Sequence, residues 1–213
     1  MLLTAGLVAG WYYLRNWIEL GSPFIGGWER RSGLVWWQDP GYRTLSQFFT
    51  FGQSLTYPIY SGTRGFIDAF YSTFWLDGWL SALNVLHTLS PWNNEFMLAG
   101  SLLGIVPSIG IVLGLIHVVA RPCRTIAQGT MFAGSWIMVY VAAMLFLFAT
   151  IPCYSTVKAT YTCGLTPCYA LLGAEGLGFL MHGRILRALV YALMACWAVA
   201  AYCSYFAIHP VPF

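Results

Sequence analysis

Four long apolar runs occupy the second half of the chain, and only short polar stretches separate them. They cover residues 97–120, 130–151, 164–181 and 185–208. A bilayer's hydrocarbon core is about 30 Å thick, so a helix that crosses it needs roughly 20 mostly apolar residues. Because lipid offers no partner to a free backbone N–H or C=O, we expect each run to be a membrane-crossing helix.

The chain opens on a shorter apolar segment, residues 1–14, which leads into aromatic residues up to Trp17. This segment has neither a basic n-region nor an A-x-A cleavage site, so we interpret it as a first crossing rather than a signal peptide. Residues 15–96 are too polar and too interrupted to span a bilayer. Loops of this length usually carry function, and we expect short helices on the membrane surface at 42–57 and 62–89.

These segments predict an all-α integral membrane protein with about five transmembrane helices and a long outer loop that bears short interfacial helices. The chain divides into a first transmembrane segment (1–14), an extracytoplasmic amphipathic and aromatic region (15–96) and a four-helix transmembrane region (97–213).

Basic residues predict the orientation, because short cytoplasmic loops carry an excess of Lys and Arg. Two short loops between the apolar runs hold the pairs Arg121 with Arg124 and Arg184 with Arg187. We therefore expect the N-terminus inside the bacterial inner (cytoplasmic) membrane and the long loop outside.

Composition supports the membrane assignment. Hydrophobic residues make up 59% of the chain, charged residues make up 8%, and the mean hydropathy is +0.68. A soluble domain has about 25% charged residues. The net charge is only +3 and no run of Lys or Arg occurs, so no nucleic-acid partner is expected. Membrane lipids and other transmembrane subunits are the expected partners.

A dense polar cluster follows the apolar run that ends at residue 151. Lys158, the only lysine, lies among hydroxyl-bearing residues that include Tyr154, Ser155 and Tyr161. An ammonium group with nearby hydroxyl donors suits the phosphate of a lipid. The alternative is an interfacial anchor, a lysine whose stem lies in lipid while its charge reaches water.

A second polar and aromatic cluster lies in the outer region around Arg43, Arg64 and Asp68. With the neighbouring Tyr and Trp side chains, these residues could bind a sugar or a head group by stacking and bidentate hydrogen bonds. Arg64 and Asp68 are four residues apart on a predicted helix and could instead pair with each other. We favour this surface ion pair, beside an aromatic belt, over a ligand site.

Glu175 falls inside the run 164–181, and a carboxylate within lipid is a candidate functional group. The neighbouring Gly173, Gly176 and Gly178 would allow another helix to approach closely. The alternative role for Glu175 is a protonated or hydrogen-bonded contact between helices.

Histidines and cysteines give weaker signals. The histidines are scattered, at His87, His117, His182 and His209. An intramembrane His can ligate haem or a chlorophyll magnesium, but we favour hydrogen-bonded or interfacial histidines over a haem- or quinone-binding subunit. No Cys or His spacing predicts zinc.

The six cysteines divide into two groups. A disulfide among Cys153, Cys163 and Cys168 is left open. Cys196 and Cys203 share a face of one predicted helix, and we interpret them as small core residues.

Three sequence elements, in this order, resemble a known family. The first is Gly10-Trp-Tyr-Tyr-Leu-Arg-Asn-Trp17, followed by Gly21-Ser-Pro23. The second joins residues 48–52 with Phe70-Tyr-Ser-Thr-Phe-Trp-Leu-Asp-Gly78, and the third is Tyr154-Ser-Thr-Val-Lys-Ala-Thr-Tyr161. Together they are similar to the C-terminal half of bacterial dolichyl-phosphate-mannose protein mannosyltransferase-like glycosyltransferases (glycosyltransferase family 39, GT-C fold).

The resemblance implies transfer of a sugar from a polyprenyl-phosphate donor, with the catalytic acid in an outer loop of the family's N-terminal half. No acidic pair of this chain matches that position, and Glu19 does not replace it. The lipid-phosphate side of the family's site would carry over to Lys158 with its hydroxyl neighbours, and to Arg15 and Arg64. No catalytic residue or metal is expected, and the only expected ligand is a bound lipid or polyprenyl phosphate.

Two functions follow. The first is a non-catalytic accessory or structural subunit of a larger membrane complex, for which pigment-bearing or electron-transfer complexes are candidate hosts. The alternative is the lipid-donor-binding half of a split polyprenyl-phosphate-sugar glycosyltransferase. In that case the chain is not catalytic alone and a partner chain completes the enzyme.

Overall fold

The computed structural model describes residues 2–21, 43–56, 61–76, 93–121, 127–151 and 157–207. Within these ranges the regular structure is entirely helical. The longer helices are α1 (Leu2–Leu20), α4 (Phe66–Trp75), α5 (Asn94–Leu103), α6 (Ile105–Ala120), α7 (Gln128–Thr150), α8 (Thr166–Leu180) and α9 (Arg184–Phe206). The shorter elements are α2 (Leu45–Phe49), α3 (Gln53–Thr56) and two 3₁₀ helices at Ser61–Thr63 and Ala159–Leu165.

Four helical segments of the described chain are long and apolar enough to cross a membrane. They are Glu95–Ala120, Gln128–Thr150, Ala159–Leu180 and Arg184–Phe206, and each coincides with one of the predicted apolar runs. The prediction of four long apolar helices is therefore confirmed. The short helices expected in the outer region correspond to α2, α3 and α4, while residues 77–92 lie outside the described part.

Helix α1 covers the predicted first crossing and continues past residue 14 to Leu20. Among the described helices it is not one of the four with spanning length and hydropathy, since Arg15, Asn16 and Glu19 lie in its last turns. A fifth crossing therefore stays a prediction.

The first spanning segment is interrupted at Gly104, where α5 ends and α6 begins. Pro107 lies in the first turn of α6 and has no N–H to donate to the Leu103 carbonyl. Gly104 is buried, and a Cβ there would lie 3.0 Å from Cγ of Trp75. The interruption therefore lets the Trp75 ring pack directly against the backbone.

Helices α6 and α8 make the closest approach between spanning segments, through glycines on both. A Cβ at Gly176 would overlap the Gly110 carbonyl oxygen, and a Cβ at Gly114 would overlap the Leu172 carbonyl. Small residues spaced in this way allow two backbones to touch in a membrane. The close approach expected beside Glu175 is confirmed.

Hydrogen bonds between helices show that successive spanning segments run in opposite directions. The Asn93 N–H donates to the Ser204 carbonyl at 2.8 Å, which joins the start of α5 to the end of α9. The Thr130 hydroxyl donates to Glu175 Oε1 at 2.5 Å, which joins the start of α7 to the end of α8. One end of the bundle therefore holds α4, which contacts α5, α6 and the start of α8. The opposite end holds Arg121, Arg184 and Arg187.

Candidate functional site

Helix α4 has two faces that differ sharply in chemistry. One face is formed by Asp68, Ala69, Ser72 and Thr73, all of which are buried. The other face is mainly aromatic and lines a cavity that is partly open to the surface. It consists of Phe66, Ile67, Phe70, Tyr71, Phe74 and Trp75. A helix would ordinarily bury its apolar side and expose its polar side. The buried polar face therefore needs hydrogen-bond partners within the protein.

Asp68 accepts three hydrogen bonds that join the polar face of α4 to Gly52 and Ser54. Its side chain is fully buried, and its Oδ1 accepts from Gly52 N–H at 3.0 Å, Ser54 N–H at 2.9 Å and the Ser54 hydroxyl at 2.7 Å. Gly52 presents its N–H from a positive φ of 132°, a conformation that other residues rarely adopt. Asp68 Oδ2 is buried without a hydrogen-bond partner. The carboxylate thus holds the loop before α3 against α4.

The favoured ion pair between Arg64 and Asp68 does not form. Arg64 is exposed, whereas Asp68 is buried among the donors of Gly52 and Ser54. The reason is geometric: Asp68 lies on the inward side of α4, where its Oδ1 accepts from three donors of Gly52 and Ser54.

Two further hydrogen bonds fasten α4 to the first spanning segment. The Tyr71 hydroxyl donates to the Ser101 carbonyl at 2.5 Å, and the Ser101 hydroxyl donates to the Ser54 carbonyl at 2.8 Å. Burial raises the pKa of Tyr71 well above its ordinary value of 10, so this phenol stays protonated and remains a donor. The Trp75 indole N–H donates to Ser108 Oγ at 2.7 Å.

The Lys158 segment docks on the same helix. The Ala159 N–H donates to Thr73 Oγ1 at 2.7 Å, although the two residues are 86 positions apart. Val157 is buried and packs with Phe66 and Phe148, while Lys158 itself is partly buried. The second and third resemblance elements therefore meet in space, which their separation in the sequence does not predict.

The aromatic face of α4 and three spanning helices line an almost wholly apolar cavity of about 220 Å³, which is open at the surface where Ile67 and Val112 are exposed. Its other walls come from α6, α7 and α8 and consist of Ser108, Ile111, Val112, Leu115, Ile137, Val141 and Tyr169. A concave apolar space with few polar groups is the usual form of a small-ligand site.

Tyr169 supplies the cavity with an unusual polar group. Its side chain is only 5% exposed, and its hydroxyl has no hydrogen-bond partner of good geometry. The hydroxyl of the nearby Thr162 donates to the Ala159 carbonyl at 2.6 Å instead. A ligand oxygen near Tyr169 would satisfy a group that otherwise costs free energy.

The predicted lipid-phosphate residues do not all come together. Lys158 lies beside α4, and Tyr161 is exposed on the following 3₁₀ helix. Tyr154 and Ser155 lie outside the described residues. Arg15 pairs with Glu19 on its own helix, with Nε 3.1 Å from Oε2, and both side chains are exposed.

Arg43, one of the residues of the second cluster, has a structural role. Its Nε donates to the Phe148 carbonyl at 2.6 Å and its Nη2 to the Ile151 carbonyl at 3.3 Å. Its guanidinium carbon lies 3.8 Å above the Phe148 ring. Arg43 therefore caps the carboxyl end of α7, where free carbonyls favour a cation.

Glu175 takes the role of a contact between helices. It is partly buried, and its Oε1 accepts the short hydrogen bond from Thr130. Thr130 lies in the first turn of α7, where the helix dipole also favours a carboxylate. This contact supports the structural alternative for Glu175 over a catalytic one.

The described histidines show no paired arrangement. His117 packs its ring against Phe179 with centroids 4.8 Å apart, and His182 is exposed. His87 and His209 lie outside the described residues. No group of three His, Cys, Asp or Glu side chains in the described chain could hold a metal ion.

Cysteines in the described chain carry free thiols. Cys163 and Cys168 are not bonded to each other, and Cys153 lies outside the described residues. The core position expected for Cys196 is wrong, because this side chain is exposed on the outer face of α9, while Cys203 is partly buried.

Comparison of the chain with protein-family models, curated proteins and solved structures gives no match. Function is therefore inferred from the chain's own residues, and the aromatic face of α4 is the feature that the sequence reading missed. Spacing alone contained the signal: positions 66, 67, 70, 71, 74 and 75 form one helical stripe of apolar and aromatic residues.

Proposed function

We propose that this chain is a membrane accessory subunit that holds the hydrocarbon chain of a polyprenyl-phosphate-linked substrate for a catalytic partner of the GT-C type. The observation that carries the proposal is the apolar cavity, because the second resemblance element supplies much of its wall through Phe70, Tyr71, Phe74 and Trp75. Four residues of the second resemblance element are thus among the residues that line the cavity.

The chemistry of the site suits an amphiphilic lipid. Each apolar contact stabilises a bound isoprenoid chain by a small amount. The cavity walls are almost entirely aromatic and aliphatic and so offer many such contacts. The phosphate would lie at the Phe66 end of the cavity, because Val157, which precedes Lys158, packs in one cluster with Phe66 of the cavity wall. A lysine is a common point charge for a phosphate.

Three of the four carboxylate side chains in the described chain favour an accessory rather than a catalytic role, while the fourth, Glu95, is exposed in the first turn of α5. Glu19 pairs with Arg15, Asp68 is enclosed by Gly52 and Ser54, and Glu175 accepts from Thr130. A general acid or base needs access to a substrate proton, and these three side chains are engaged in local contacts. We therefore propose that a partner chain supplies the catalytic carboxylate.

The location proposed is the bacterial inner membrane, with five crossings and the N-terminus inside. Arg121, Arg184 and Arg187 lie at the end opposite α4, so the positive-inside rule puts them in the cytoplasm. The end with α4 and Lys158 then faces outward, where polyprenyl-phosphate donors of this family type are used.

Filling the cavity tests the proposal. Val141 lines the cavity, whereas Val139 lies two residues earlier on α7 and is 59% exposed. The substitution Val141→Trp should weaken binding of a polyprenyl phosphate by about tenfold or more, because the added ring takes up the ligand's space. Val139→Trp adds the same ring outside the cavity and should bind as the wild type does. Native mass spectrometry of the full chain in detergent measures both.

Two controls complete this experiment. Matching melting temperatures for the two Trp variants show that lost binding is not lost folding, and equal affinity in all three proteins would overturn the proposal. In the same assay Lys158→Ala should weaken binding of the polyprenyl phosphate but not of the corresponding polyprenol. A loss that is equal for both lipids would remove Lys158 as the phosphate ligand.

A further inference from the structure

Trp75 stands at one end of the cavity. It is the last residue of α4, and its ring forms part of the cavity wall. Its other side meets Trp197 of α9 edge to face, with ring centroids 5.3 Å apart and an interplanar angle of 84°. The indole therefore lies between the cavity and the Trp197 ring.

The indole is held in this position by the interruption of the first spanning segment. Its N–H donates to Ser108 Oγ at 2.7 Å, and the Ser108 hydroxyl donates onward to the Gly104 carbonyl at 2.8 Å. A Cβ at Gly104 would be 3.0 Å from Cγ of Trp75, closer than an undisturbed contact allows. The Trp75 ring is thus positioned by a hydrogen bond to Ser108 and by close packing against the Gly104 backbone.

We infer that Trp75 is the end wall of the lipid-chain site and determines how long a hydrocarbon chain the cavity accepts. The inference rests on the proposed function, because it concerns the same cavity. A large ring fixed by a hydrogen bond and by backbone contact is a rigid stop, whereas the aliphatic side chains on the other walls can change rotamer. Removing the indole would extend the cavity up to the Trp197 ring.

Ligands of graded length test the inference. Farnesyl phosphate, geranylgeranyl phosphate and a long polyprenyl phosphate are titrated against the full chain in detergent. Trp75→Leu should raise the affinity for the longer chains relative to farnesyl phosphate by about tenfold, because the vacated space adds apolar contacts. Gly104→Ala should shift the preference toward farnesyl phosphate, since the added methyl pushes the ring into the cavity.

Matched variants separate length selection from other effects. Trp136→Leu removes an indole of the same size from α7, where the ring packs with Phe132 outside the cavity, and should leave the length profile unchanged. Trp75→Phe keeps an aromatic wall and should stay close to wild type, which shows that folding survives a change at this position.

The possible failures are distinguishable. If wild type binds these phosphates and is sensitive to Val141→Trp, but Trp75→Leu keeps the wild-type length profile, the inference is overturned and the proposed function stands. If wild type binds none of the three, both are overturned. A shift of equal size in Trp136→Leu would also overturn the role assigned to Trp75.

Discussion

Asp68 positions helix α4, although burying the polar face of this helix is unfavourable without hydrogen-bond partners. The carboxylate lies in the first turn of α4, where it complements the helix dipole. Its Oδ1 satisfies three donors from Gly52 and Ser54, so the polar face of the helix can be buried without isolated donors. The aromatic face is then free to line the cavity.

Substitutions of Asp68 test this arrangement. Asp68→Ala leaves three buried donors without an acceptor and should lower the free energy of unfolding by about 3 kcal/mol or more. Asp68→Asn keeps an oxygen at the Oδ1 position and should cost much less, about 1 kcal/mol. Thermal unfolding in detergent, followed by tryptophan fluorescence, measures both.

The exposed Glu95→Gln serves as a control, because the Glu95 side chain projects from the first turn of α5. It should unfold as the wild type does. If Asp68→Asn were as damaging as Asp68→Ala, the accepted hydrogen bonds would not explain the role of Asp68.

At the scale of helices, the contact between α6 and α8 depends on the absence of side chains. Gly110 and Gly114 face Gly176 so closely that even one Cβ would overlap a backbone atom of the other helix. In lipid the hydrophobic effect does not drive helices together, so this contact relies on close packing of backbones. The same pair supplies Ile111, Leu115 and Tyr169 to the cavity, which makes the cavity dependent on their spacing.

Two glycines of α8 give a matched test of this contact. Gly176→Leu should push α6 and α8 apart and lower the free energy of unfolding by about 3 kcal/mol or more. Gly178→Leu adds the same side chain two residues later, where a Cβ meets nothing within 4 Å, and should be tolerated. Unfolding of both variants in detergent provides the comparison, and equal stability would contradict the assigned packing.

Apolar patterning predicted the long helices well, because a run of about 20 apolar residues has few structural alternatives. Gly173 and Gly176 also signalled a close helix contact. The positions of Asp68 and Arg43 could not be predicted, because each depends on a partner that no sequence pattern links to it. Asp68 accepts from Gly52, and Arg43 donates to the Phe148 carbonyl. The cavity likewise depends on three-dimensional contacts such as the Thr73–Ala159 hydrogen bond across 86 positions.

At the scale of the whole molecule, the two ends of the helix bundle differ in character. One end contains α4 with the hydrogen bonds of Asp68, the cavity and Lys158. The opposite end contains Arg121, Arg184 and Arg187. In the orientation that we propose, the arginines lie in the cytoplasm, and a lipid would enter at the outer end and insert its chain beside the aromatic face of α4. A catalytic partner would meet the phosphate from outside the membrane.

Photolabelling of the whole chain tests this account most directly. The probe is a polyprenyl phosphate with a diazirine at the far end of its chain, and mass spectrometry of the digested protein locates the attachment sites. The account predicts adducts on the aromatic face of α4, at Phe70, Phe74 or Trp75, and on Ile111 or Leu115 of α6. Adducts confined to outward-facing positions such as Val119 and Val199 would contradict it.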